Sequence, residues 1–278
     1  MTRQVDGHAM AAELQRDLAA QVSRLRRPPS LAVVLVSDDP RQHRYADLKY
    51  QAAASVGIHA IAQELAPRAT TEELCRTLDD LVADADVDGV FIQLPLPAHL
   101  DPQALHDRLP PVTDVDGLSR RNRLPAGGRA VHRPAAVDAV LHVLQRHGIG
   151  LDGRRVVVVG ASWDLGVPLR TALSVAGATV ETVDPAAVDL PRRCRAADLV
   201  VSTVGVPHVI DGSCVKPGAA VVDAGGSITD DGPVGDVDLD AVTGLASLVA
   251  PHPGGIGPLT VACLLRSTAA AAGLWDLA

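Results

Sequence analysis

Short β-branched runs, each ending at a turn and each followed by a helix-patterned stretch, recur along this chain and restrict it to folds built on parallel sheets. LAVVLV (31–36) stops at Ser37-Asp38-Asp39-Pro40 and gives way to the Ala-rich RQHRYADLKYQAAASVG, which closes at Gly57. IHAIAQEL (58–65), the helix-patterned TTEELCRTLDDLVAD (70–84) and GVFIQL (89–94) continue the alternation. Strands separated by helices lie parallel, with helices over both faces of the sheet, so an α/β fold is predicted.

Between about 95 and 135 the texture changes to LPLPAHLDPQALHDRLPPVTDVDGLSRRNRLPAGGRAVHRP, rich in Pro, Gly and charge, and reads as a long functional loop rather than a core element. The helix AAVDAVLHVLQRHG (135–148) leads into a second unit. That unit opens with RRVVVVGASWDLGVPLRTALSVAGATVETVD (154–184), read as a buried strand, a glycine turn, a helix and a strand ending in Asp184. Such a turn suits a nucleotide phosphate, because glycine lets the backbone approach and the helix N-terminus presents free N–H groups. The spacing from Gly160 to Gly166 is not GxGxxG, but ADLVVSTVG (197–205) and AAVVDAGG (219–226) add two further strand-then-glycine units.

Composition narrows the partners. At 278 residues and 47% hydrophobic content, with no apolar run near the roughly 20 residues that span a bilayer, the chain reads as soluble and cytoplasmic, with room for two domains. The start, MTRQVDGHAMAAELQRDLAAQ, has the alternation of an amphipathic helix rather than the apolar core of a secretory signal. Cys75, Cys194, Cys214 and Cys263 are widely separated and are read as small buried hydrophobes. A net charge of −8 and 2% aromatic residues argue against a nucleic-acid surface. The ten histidines form no HExxH-like pair, so they are read as surface or loop residues and no metal is expected. A small-molecule site is the class that remains.

The segments SDDPRQHRYADLKYQAAASVGI, DGVFIQLPLPAHLD, TDVDG, GASWDLGVP, VVSTVGVP, GDVD and PHPGGIGPLTVACLL follow one another in the order and spacing of a known family. The chain resembles, over nearly its whole length, the bifunctional methylenetetrahydrofolate dehydrogenase/methenyltetrahydrofolate cyclohydrolases; QLPLP and PGGIGPLT are the most specific of these motifs. The resemblance implies oxidation of the 5,10-methylene group of tetrahydrofolate by a nicotinamide cofactor, then hydrolysis of the methenyl product to 10-formyltetrahydrofolate. It also implies a homodimer, and two α/β domains with a cleft between them. The folate and catalytic domain is placed at 1–135, completed by a C-terminal helix at about 258–278, and a Rossmann-like NAD(P)-binding domain at 136–257.

The catalytic residues that the resemblance carries over are Tyr45, Lys49, Gln93 and Asp116. Tyr45 and Lys49 stand at i and i+4, on one helical face, so the ring can border a flat pterin while the amine points at its reactive carbon. A partly desolvated lysine exchanges protons near neutrality, as attack of water on an iminium carbon requires. Gln93, at the carboxyl end of its strand, can hold Lys49 or a substrate atom. Asp116 can accept from the donor-rich edge of a pterin. Each residue taken singly has an ordinary explanation, as a solvated lysine, a half-core tyrosine or a turn aspartate, and only the motifs around them favour chemistry. Leu94 and Pro95, with the loop Pro253-Gly254-Gly255, complete the expected substrate contacts, and Gly160, Ala161, Ser162, Leu165, Gly166, Asp184, Thr203, Val204, Gly205 and Gly225 the expected cofactor contacts.

Departures from the family pattern are concentrated. Asp39-Pro40-Arg41-Gln42 replaces Asn-Pro-Ala-Ser before the tyrosine, Thr113 replaces a lysine, Val131-His132-Arg133-Pro134 replaces Pro-Cys-Thr-Pro, and Ala136 replaces a glycine. In the glycine turn the usual Gly-Arg-Ser is Gly160-Ala161-Ser162, and the usual His-Ser at the next strand end is Asp184-Pro185. The first change removes an arginine suited to the 2′-phosphate of NADP, and the second adds a carboxylate suited to the free ribose hydroxyls of NAD. NAD is therefore expected over NADP. Two other readings share the fold: a paralogue with a weakened or lost dehydrogenase step acting as a cyclohydrolase or on a related folate or imine, and a non-catalytic folate- or nucleotide-binding protein, against which the presence of a proton carrier speaks.

Overall fold

A computed structural model of the chain describes residues 1–123, 131–229 and 232–273. Its elements begin with β1 (Arg3–Gln4), α1 (Gly7–Val22), β2 (Ser30–Val36), α2 (Pro40–Ser55), β3 (His59–Leu65), α3 (Thr71–Ala83), β4 (Gly89–Ile92), α4 (Pro102–His106), α5 (Arg120–Arg123) and α6 (Ala135–Arg146). They continue with β5 (Arg155–Val159), α7 (Gly166–Val175), β6 (Thr179–Val183), α8 (Leu190–Cys194), β7 (Leu199–Ser202), β8 (Ala220–Asp223), β9 (Ser227–Thr229), β10 (Gly232–Val234), α9 (Leu239–Val242), β11 (Leu248–Ala250) and α10 (Ile256–Ala271). The chain divides into two compact units, one of Ala12–Ala135 with the chain from Val261 on, and one of Met1–Ala11 with Ala136–Thr260. Among the described residues no helix is long and apolar enough to cross a membrane.

The unit holding Ala12–Ala135 is built on a three-stranded parallel sheet in the order β3-β2-β4. Its central strand, SLAVVLV, is buried at every position, as a strand covered on both faces must be. On one face Ala32, Val34, Val36, Val90 and Ile92 pack with Leu74, Leu78 and Leu81 of α3. The i, i+4, i+7 spacing of those leucines puts them on one stripe, and Thr70 and Glu73 close the helix start with a reciprocal capping box. α2 packs against β2 and β3, burying Ala46, Lys49 and Ala53. The order of strands reverses between β2 and β4, and open α/β sheets place ligands outside the carboxyl ends of strands at such a point.

The other unit carries a six-stranded sheet, β1-β11-β8-β7-β5-β6, with every neighbour parallel. Its switch point lies between β5 and β7. The runs VVVV, LVVS and AVVD are buried, and Val157, Val159, Val200 and Val221 lead one core cluster that also takes in Cys194 and Cys214.

Two sequence expectations differ from this arrangement. The first residues do not join the unit of residues 12–135: Arg3 and Gln4 pair with Leu248 and Val249, which adds a strand to the larger sheet. The expected C-terminal helix is observed as α10 to Ala271, and its last positions, 274–278, lie outside the described residues. The stretch from 95 to 135, whose residues 124–130 also lie outside, is more than loop: it contains α4, α5 and a buried polar network. Three of the cysteines are buried and Cys75 is half-buried, all four with free thiols.

Candidate active site

Lys49 is placed by a short chain of local causes. Asp39 caps α2 by accepting from the Arg41 N–H at 2.9 Å, and Pro40 occupies the first turn, where its missing N–H costs nothing. Positions 46, 49 and 53 then face the sheet, and the two flanking alanines leave room for a long side chain. Lys49 is only 9% exposed. Its Nζ donates to Gln93 Oε1 at 2.9 Å and to the Tyr45 carbonyl at 3.4 Å, and lies 4.8 Å from the centre of the Phe91 ring. Burial pushes the amine down to about 8, and the charge of Asp116 opposes that fall.

Gln93 follows β4 directly and is fixed at both ends. Its backbone N–H donates to Val34 at 2.8 Å, while its side-chain amide donates to the Leu94 carbonyl at 2.7 Å, leaving Oε1 turned to the lysine. Leu94 is half-buried and Pro95 exposed beside it, and the Tyr45 side chain stands exposed one turn before Lys49.

Asp116 is half-buried on a loop held from beneath by a residue that the sequence reading passed over. Asp114, fully buried, accepts from Ser119 N at 2.8 Å, Leu118 N at 3.3 Å and Asn122 Nδ2 at 3.0 Å, and faces His106. Burial alone would raise its carboxyl; His106, Ser119 and Asn122 together hold it below its ordinary value. Gly117 has φ +69°, and a Cβ there would lie 2.6 Å from the Arg133 carbonyl carbon. The divergent segment at 131–134 is therefore packed onto the TDVDG turn, with His132 Nε2 2.8 Å from the Val112 carbonyl. His106 and His132, read as surface or loop residues, are both buried, His106 facing Asp114 and His132 lying in the loop against the Val112 carbonyl.

In the other unit the switch point is built from backbone. Gly160 ends β5 with φ +101°, where a Cβ would lie 2.5 Å from Val204 Cγ1 and 2.7 Å from Thr203 Oγ1. Gly166 opens α7 against the Gly160 carbonyl, and its N–H donates to Ser162 Oγ at 3.2 Å. Leu165 gives this helix no side-chain cap and Ala161 is exposed. Val159 pairs with Val183, so Gly160 and Asp184 are the next residues on adjacent strands. Asp184 is exposed, with one carboxylate oxygen accepting from Ala186 N at 2.8 Å.

Beneath this surface lies a second buried acid that sequence reading did not single out. Asp236 Oδ2 accepts from Ser202 Oγ at 2.7 Å, Val204 N at 2.9 Å and Gly205 N at 3.2 Å, fixing the loop after β7. Gly225 is glycine because a Cβ would strike the Asp236 carboxylate, and Gly226 because it would strike the His252 ring. Asp223 Oδ2 accepts from Val237 N at 2.9 Å, and burial with the nearby Asp236 pushes its carboxyl up to about 7. The GDVD segment held the signal for Asp236, an acid framed by Gly235 and Val237, both buried in the fold. The carbonyl of Gly254, a residue with φ +93°, accepts from Gly7 N at 2.8 Å; a Cβ on Gly7 would strike the Gly254 and Gly255 carbonyls, and one on Gly255 the Pro251 carbonyl. The Pro253-Gly254-Gly255 loop is thereby locked to the start of α1. Among the described residues no three His, Cys, Asp or Glu converge as a metal site would.

Known proteins share both halves. The catalytic-domain model of tetrahydrofolate dehydrogenase/cyclohydrolase matches residues 5–116, and the NAD(P)-binding-domain model of the same family matches 134–274. The bifunctional protein FolD of Psychrobacter arcticus is 38% identical over 276 residues, covering 96% of this chain and 92% of the relative. That of Nitratidesulfovibrio vulgaris strain DP4 is 40% identical over 274 residues, covering 95% and 96%. The crystal structure of the Campylobacter jejuni bifunctional FolD enzyme superposes with a TM-score of 0.93 at 32% identity over 98% of this chain and 99% of that one. The Trypanosoma brucei FolD structure, a complex with NADP and an inhibitor, does so with a TM-score of 0.93 at 32% identity over 100% and 99%. With both domain models matched and relatives alike along nearly its full length, the chain belongs to the tetrahydrofolate dehydrogenase/cyclohydrolase family of bifunctional enzymes.

Proposed function

We propose that the chain oxidises 5,10-methylenetetrahydrofolate to the methenyl form and hydrolyses that product to 10-formyltetrahydrofolate, with Lys49 as the proton carrier and NAD as the preferred dinucleotide. The observation that carries the hydrolytic half is a lysine buried against a strand end, tethered by Gln93, with its amine brought down to about 8. At neutral pH such an amine reaches both protonation states readily, which general acid–base catalysis exploits. Neutral Lys49 takes a proton from water as the water oxygen bonds to the methenyl carbon. The ammonium so formed gives a proton to N5 as the carbon–N5 bond breaks, and the hydroxyl proton passes to solvent, leaving the formyl group on N10. Gln93 keeps Nζ on station through both transfers, Asp116 supports the charged form and offers an acceptor to the pterin, and the exposed Tyr45 ring offers it a wall.

A nicotinamide, when bound, takes up the hydride removed from the methylene carbon. The chain fits such a group: Gly160 and Gly166 leave a cradle at the switch point that side chains would fill, next to the uncapped start of α7. NAD is favoured because Ala161 offers no cation to a 2′-phosphate, while Asp184 stands one strand over from Gly160 with an exposed carboxylate. Initial rates of methenyl formation with NAD and NADP test this. A higher kcat/KM with NAD is expected, a higher value with NADP overturns the preference, and hydrolysis without turnover on either dinucleotide would leave a cyclohydrolase alone. We read the enzyme as a cytoplasmic homodimer, for which sedimentation gives the mass.

A further inference from the structure

We propose that Phe91 is a positioning residue for Lys49, its ring face holding the ammonium against Gln93. This rests on the reading of Lys49 as the proton carrier. β4 alternates, so Val90 and Ile92 enter the core cluster with α3 while Phe91 and Gln93 share the opposite face, toward α2. Phe91 pairs in register with Val33 and is 8% exposed, which fixes the ring in place. Nζ lies 4.8 Å from the ring centre, inside the range of about 6 Å over which an aromatic face attracts a cation. It is the chain's single phenylalanine.

The charges around the amine are few. β2 and β4 carry no ionisable side chain, Glu64 on β3 faces His43 and Tyr50, and Asp116 is the charged group that acts on Lys49. From α2 itself, the Tyr45 carbonyl accepts from Nζ at 3.4 Å. The buried ring is thus a second source of stabilisation for the protonated lysine, and it resists the effect of burial without adding a counter-charge that would pull Nζ away from Gln93.

Only two lysines occur in the chain, Lys49 and Lys216, so the inference has a direct readout. With 13Cε-labelled lysine the two Cε–H signals are assigned by Lys216→Arg and titrated in the intact protein. In Phe91→Leu the Lys49 midpoint falls by about 0.5 to 1, and the acid limb of the hydrolysis profile moves to lower pH with it; Phe91→Tyr, which keeps the ring, restores both. A merely space-filling Phe91 would admit water on truncation, and the midpoint would rise or stay put; either result overturns the proposal. Phe91→Met serves the same purpose should the leucine variant fail to fold. If Lys49→Met retained hydrolysis, the catalytic reading would fall while the titration still reported on the ring, so the two failures are distinguishable.

Discussion

The site around Lys49 and the site around Gly160 sit at the same kind of place in their sheets, yet they are made of different material. The first is made of side chains: an amine, an amide and a carboxylate brought together by α2, the end of β4 and the TDVDG turn. At the second, the surface is backbone, and the functional side chains of its framework lie underneath it. A side-chain site is broken by removing one group and leaves the fold standing. A backbone site is broken through the residue that holds the loop. Each unit also uses a buried aspartate for this holding task, Asp114 under Asp116 and Asp236 under Val204 and Gly205.

The largest effect is expected at the side-chain site. Lys49→Met keeps most of the buried aliphatic volume and removes the amine, so methenyl hydrolysis should fall on the order of 100-fold or more, by the usual worth of a general acid–base group, with little change in melting temperature. Retained hydrolysis, followed by loss of methenyl absorbance, would take Lys49 out of the mechanism.

The two buried aspartates sharpen the contrast. Asp114→Ala and Asp236→Ala each strand several buried donors, and each should cost about 3 kcal/mol or more of stability, as breaking a buried charged network does. Their kinetic signatures should separate. Asp114→Ala loosens the Asp116 turn and raises KM for the folate, whereas Asp236→Ala loosens the 203–205 loop and raises KM for the dinucleotide. Equal effects on both KM values in both variants would erase the distinction between the sites.

Their pH behaviour also diverges. Asp114 is held below the ordinary carboxylate value, so the stability it lends is present above that value and is lost as the solution is acidified through its folded pKa. Asp223 beside Asp236 is raised, to about 7, so its contribution is complete below the ordinary value of 3.8 and is lost as pH rises toward 7. Asp223→Asn should therefore flatten the decline in melting temperature between those limits. An unchanged slope would show that Asp223 titrates as an ordinary carboxylate.

What could be read in the sequence follows the same division. The parallel sheets were legible because buried β-branched runs such as VVVV and LAVVLV recur between helix-patterned stretches, and the meeting of Lys49 with Gln93 near Asp116 because these residues stood in specific motifs. Asp114 and Asp236 were not, since a holding residue is defined by donors arriving from distant segments: Asn122 and Ser119 for one, Ser202 for the other. The strand Arg3–Gln4 was missed for a related reason. Two exposed polar residues carry no hydrophobic pattern, and only the free edge of β11 makes them a strand.

The smallest expected effect tests the weakest of the backbone site's features, its choice of dinucleotide. Ala161 and Asp184 are both exposed, and the side-chain hydrogen bond that Asp184 accepts from Ala186 N can be kept by a serine, so changing them should alter recognition without altering the fold. Asp184→Ser with Ala161→Arg removes a carboxylate that repels a 2′-phosphate and adds a cation that attracts one. The ratio of kcat/KM for NADP over NAD should rise about tenfold, equivalent to about 1.4 kcal/mol, a modest sum for two solvent-screened charges. Because Asp184 also accepts from Ala186 N, the single Asp184→Ser change should keep the turn through its hydroxyl and supply part of the effect alone. A ratio that did not move in the double variant would place dinucleotide choice elsewhere on the loops around Gly160.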